Sequence, residues 1–181
     1  MVHEVISGVE LLNLIERAFE NRRLGPEPLT FSFEGAPAGL DTLQLDVWSL
    51  ANRTLLHATS WKSLNAQDMR YLISYLTPDA LCFILPALLS YNVTWCENRR
   101  HFLREYIWEI EDLLQPDNPE AGKSESNAES ILGRLSALER ASVFEYVKYF
   151  NVMRASFTPD LEAFWEGPDD GAFDSGATRK S

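Results

Sequence analysis

The hydrophobic pattern is centred on Ala80 to Leu89, ten consecutive residues with no charge and no polar group except the thiol of Cys82. Thr77, Pro78 and Asp79 precede the run. They supply a side-chain acceptor for an early helical amide, an imide at the first helical position and a carboxylate where the helix dipole favours one. A helix over 78–92 is therefore predicted. A helix apolar on every side must be enclosed by its own protein, and ten uncharged residues fall short of the ~20 that span a bilayer. The run thus predicts the central element of a core. Pro86 removes the hydrogen bond to the carbonyl of Cys82 and crowds it, which predicts a kink or a restart at that point.

Amphipathic segments flank this centre. Ser7 and Glu10 have capping-box spacing, and Val9, Leu12, Ile15 and Phe19, with Leu11, Leu14 and Ala18 beside them, recur on one wide face. The predicted helix has Arg22 and Arg23 in its last turn and ends at Gly25 and Pro26. Leu29, Phe31 and Phe33 alternate with Thr30, Ser32 and Glu34, the pattern of a short extended segment at 29–33, and a Gly/Ala/Pro loop follows at 35–39. Residues 41–57 fit two periods, since Leu43, Val47 and Leu50 have helical spacing while Leu43, Leu45 and Val47 alternate. Helix is preferred there because an isolated pair of strands is marginal.

Residues 65–75 read as a short helix with Met69, Leu72, Ile73 and Leu76 turned inward. Glu97 to Gln115 carries the cleanest amphipathic pattern, with Phe102, Leu103, Tyr106, Ile107, Ile110, Leu113 and Leu114 in one arc. A polar stretch at 116–127 predicts a surface linker. Ser126 with Glu129 predicts a short helix stopping near Gly133. Ser136 with Glu139 predicts a longer one that turns Val143, Tyr146, Val147, Phe150 and Met153 inward. Thr158, Pro159 and Asp160 repeat the start seen at Thr77 and open a last short helix through Trp165. The sum is an all-α protein, a single-domain irregular bundle of about six to eight helices over 1–166 around a buried helix 78–92 kinked at Pro86. The apolar-poor stretch 167–181 reads as a disordered tail.

Charge narrows the partners. Sixteen basic against 27 acidic side chains leave a net charge of -11, which repels nucleic-acid phosphates and anionic membranes and suits a basic protein. The segment Met1 to Phe19 has acids where a secretory signal would have its basic region. Cys82 falls in the apolar run and Cys96 fourteen residues later, which indicates no disulfide framework. Both features point to the cytoplasm. His3, His57 and His101 are scattered, and no Cys or His pair has zinc-ligand spacing. Neither a metal nor a cofactor is expected.

Trp61, Leu64, the Leu76-Thr77-Pro78 start, the Leu85-Pro86-Ala87 break and the Glu139-Arg140-Ala141 helix resemble an uncharacterised bacterial family of small, acidic, mostly helical proteins without an assigned function. The resemblance implies an all-α fold and a bacterial cytoplasmic origin, and it implies no activity.

One aromatic residue stands out. Trp108 falls near the centre of the polar side of the helix predicted from Glu97, with His101, Glu105, Glu109 and Asp112 around it. A large aromatic among carboxylates is the composition of an interface anchor, unless the segment around Trp165 covers it. Glu109, Glu111 and Asp112 also sit in the last turns of a helix, where the dipole disfavours anions, and such a broken local rule is one mark of a functional face. Glu105, Trp108, Glu109 and Asp112 are accordingly the predicted partner-binding residues of a protein-binding module, with an immunity protein neutralising a basic toxin as the role that suits this charge and size. The competing expectation is a small hydrolase or ligand-binding protein with a cleft at the Pro86 break. His57 with Ser60 or Asp68 offers a base, a nucleophile and an orienting acid by composition only, without a nucleophile elbow or a Gly-rich phosphate loop.

Overall fold

The computed structural model describes residues 6–25, 29, 42–70, 72–98, 107–116, 127–154 and 159–166; at 42–45, 47, 48, 70, 74, 107–109, 127, 153, 154, 159 and 160 the description covers the backbone alone. Among these residues the chain forms eight helices and no strand, so the protein is all-α. The helices are α1 (Gly8–Ala18), α2 (Thr42–Leu55), α3 (Ala66–Arg70), α4 (Pro78–Asn98), α5 (Ile107–Leu114), α6 (Asn127–Leu132), α7 (Ala137–Arg154) and α8 (Pro159–Glu166), with 3₁₀ turns at Trp61–Ser63 and Ile73–Tyr75. Of the predicted extended segment 29–33 only Leu29 is described, its carbonyl accepting the Thr77 N–H at 3.0 Å. The linker 117–126 and the tail 167–181 lie outside the described residues.

α4 is the centre. Every residue from Ala80 to Leu89, Pro86 included, is buried, and the helix touches α1, α3, α5, α6 and the 61–63 turn. It is longer than the predicted 78–92 and passes Pro86 without restarting. The reason lies beyond Asn92, where Val93 and Cys96 keep an apolar side buried while Asn92 itself, 3% exposed, donates its side-chain amide to the Tyr146 hydroxyl at 3.1 Å. A polar residue that reads as a helix boundary is here a satisfied core residue. Glu97 and Asn98, assigned from sequence to the next helix, complete α4 instead. By length and composition alone α4 would pass for a membrane span, yet 72% of its most apolar window is buried inside the protein.

α1 begins with the predicted capping box: the Ser7 N–H donates to Glu10 Oε2 at 2.8 Å and the Glu10 N–H donates to Ser7 Oγ at 3.3 Å. The Ser7 N–H first, and then the Ser7 hydroxyl, which donates to the same carboxylate oxygen at 2.7 Å, hold the Glu10 carboxyl below its ordinary value of 4.5. The helix stops at Ala18, one turn short of the predicted Arg22 and Arg23. At Phe19 the chain leaves the helix in a turn, the Phe19 carbonyl accepting both the Arg22 N–H at 3.0 Å and the Trp61 indole N–H at 2.8 Å. Arg22 therefore serves no helix end and pairs with Glu139, 117 residues away.

The ends of the bundle show how the helices run. Gly8, at the start of α1, abuts Glu97, at the end of α4, so closely that a Cβ would overlap the carboxylate; Gly25, past the end of α1, abuts Asp79 at the start of α4 in the same way. Tyr149, late in α7, donates its hydroxyl to Glu97, while Glu139, early in α7, meets Arg22. α1 is thus antiparallel to both α4 and α7. α7 starts with its own predicted capping box, Ser136 N–H to Glu139 Oε2 at 2.7 Å and Glu139 N–H to Ser136 Oγ at 3.3 Å. Val143, Tyr146, Val147 and Phe150 are buried as the sequence pattern predicts; the side chain of Met153, also predicted to face inward, lies outside the described residues.

Two predictions follow from this packing. Tyr146→Phe leaves the buried Asn92 amide without that acceptor and should cost about 1–3 kcal/mol in urea unfolding; a change below ~0.5 kcal/mol would show that the pair contributes little. For Glu10, a folded value below 4.5 means that its stabilisation is present above the unfolded value and lost as the pH falls through the folded one. Carboxyl NMR titration should place Glu10 below 4.5, and Ser7→Ala should move it back toward that value.

Candidate binding face

α5 carries the predicted face. Ile110, Leu113 and Leu114 are buried and Asp112 is exposed, so the helix has the inside and outside that its pattern predicts. At about 100° per residue, positions 108 and 109 fall within roughly 60° of Asp112, and Ile110 and Leu114 lie about 160° from it. The backbone therefore places Trp108, Glu109 and Asp112 on one side of α5. The side chains of Trp108 and Glu109 and the whole of Glu105 and His101 lie outside the described residues. Asp112 is the one member of the predicted set whose side chain is described, and it forms no ion pair with any described residue.

The segment around Trp165 meets α5 at its C-terminal end. Trp165 is buried and its indole N–H donates to the carbonyl of Leu114, the last helical residue, at 3.0 Å. The last carbonyls of a helix have no partner within it, and Trp165 satisfies one of them. Glu111, half-buried, and Asp112 sit in this last stretch, against the helix dipole, at ~0.3–1 kcal/mol per exposed anion.

A second polar group, which sequence reasoning missed, lies at the start of α4. Glu139 is only 6% exposed. Besides capping α7, its carboxylate accepts from Arg22 Nη2 at 3.2 Å; Arg22 Nε lies 2.9 Å from Oε1, near enough for charge attraction but without hydrogen-bond alignment. Arg22 Nη2 also donates to the Arg134 carbonyl at 2.9 Å, and Arg134 Nε donates to Asp79 at 2.9 Å. Two ion pairs and one carbonyl thus join the exit of α1, the start of α4 and the α6–α7 turn. Glu139 was legible as a capping residue, but nothing in a single sequence shows a partner 117 positions away.

Cys82 lies beneath this group, 1% exposed, its Sγ 3.9 Å from the Ile131 carbonyl. Burial pushes the thiol up to about 12; Asp79 and Glu139 add to the shift and Arg22 and Arg134 oppose it. It is a protonated core thiol, unsuited to nucleophilic work at neutral pH. Ser60, one candidate nucleophile, uses its hydroxyl oxygen to accept the Lys62 N–H at 3.3 Å and so caps the 61–63 turn. No hydrogen bond links the exposed His57 to Ser60 or Asp68 among the described residues, and no group of three His, Cys, Asp or Glu side chains there is placed to hold a metal ion.

Protein-family models, curated proteins and solved structures were all compared with this chain, and none matches. The resemblance to an uncharacterised bacterial family therefore stands on the sequence residues alone.

Two variants test the group at the start of α4. Glu139→Ala removes a cap and leaves Arg22 partly buried without its carboxylate, and should cost ~2–4 kcal/mol in urea unfolding. A double-mutant cycle with Arg22→Ala should return a coupling of about 0.5–3 kcal/mol, and strict additivity would show the pair to be energetically idle. In a Cys96→Ser background, a thiol reagent should label Cys82 only as fast as the protein opens; labelling at the rate of a free thiol in the native state would overturn the buried, protonated assignment.

Proposed function

We propose that this protein is a cytoplasmic protein-binding module that presents the acidic face of α5, with Glu105, Trp108, Glu109 and Asp112, to a basic protein. The observation that carries the reading is the exposed Asp112 on the side of α5 opposite buried Ile110 and Leu114, on a chain whose net charge is -11. Internal pairing does not disperse that charge. Arg22, Lys62, Arg134 and Lys148 each already lie against a carboxylate of the same chain, and Asp112 is exposed. A field of this sign speeds encounter with a basic partner, and an aromatic anchor at the centre of a carboxylate face slows its release. A bacterial immunity protein that neutralises a basic toxin has this chemistry, and we propose it as the specific role.

A hydrolase or ligand-binding cleft beside Pro86 gains nothing comparable. Residues 80–89 are buried and carry no charge with which to orient a substrate.

The test is affinity capture from the native host with the full chain as bait, followed by titration of the captured protein against variants. A basic partner is expected, with affinity falling as salt rises. Trp108→Ala should weaken binding by ~30-fold or more, the scale of an interface anchor. Asp112→Lys should slow association while leaving thermal stability equal or slightly raised, since it relieves an anion at a helix C-terminus. Capture of an acidic partner only, or equal affinity for both variants, would overturn the reading.

A further inference from the structure

We draw no further inference here: the strongest candidate, the side-chain cluster in which Arg22, Glu139, Arg134 and Asp79 meet above Cys82 at the start of α4, has its charges paired within the cluster, and nothing in the structure shows a ligand that would take the place of any of them.

Discussion

A helix without a polar side has to be enclosed all round, and in this protein that demand falls on α4. Its 21 residues, ~32 Å long at ~1.5 Å per residue, exceed what one neighbour can cover. α1, α3, α5, α6 and the 61–63 turn each take part of its surface. The short helices α3 and α6, of five and six residues, are below the length at which a helix is stable alone. They form because each has a strip of α4 to cover, and each buries side chains in the shared core, Ala66 and Met69 from α3 and Ala128 and Ile131 from α6. Pro86 is tolerated for the same reason: its surroundings hold the helix on both sides of the missing hydrogen bond.

Enclosure by apolar contact is non-directional, so it does not by itself set the order and direction of the helices. Direction comes from the polar contacts at the two ends of α4. At the start, Asp79 meets Arg134 and the chain at Gly25, and Arg22 meets Glu139. Toward the end, Asn92 meets Tyr146 and Glu97 meets Tyr149 and the chain at Gly8. Sliding α1 by one turn would part Arg22 from a carboxylate that is only 6% exposed, and an unpaired charge at such a site is costly. The glycines at 8 and 25 are part of the same arrangement, because the carboxylates occupy the space a side chain would need.

What was legible in the sequence was whatever depends on neighbours in the chain. The capping boxes at Ser7–Glu10 and Ser136–Glu139, the inward side chains of α7, the choice of helix for 41–57 and the central position of α4 all rest on spacings of a few residues, and all are present. The errors arise where a distant residue decides. α1 ends early at Phe19, whose carbonyl is shared between the Arg22 N–H of the following turn and the indole of Trp61, 42 residues on. α4 ends late because Asn92 finds Tyr146, 54 residues on. For the proposed face, the outward position of Asp112 against Ile110 and Leu114 was legible from helical period alone, while the Trp165 bond to Leu114 at the end of α5 was not.

The same division between local and distant causes bears on how the proposed face is held. Among the described residues, the carboxylates that meet at the ends of α4, Asp79, Glu139 and Glu97, each have a cation or hydroxyl facing them. α5 is attached differently, through Ile110, Leu113 and Leu114 on one side and one indole at its last carbonyl. Neither of these contacts uses a charged side chain. Asp112, the exposed anion of the last turn of α5, forms no ion pair with a described residue, and the dipole makes it slightly unfavourable. It thus carries a small stability cost on one surface, and recognition of a positively charged partner is the use of that surface that the proposed function supplies.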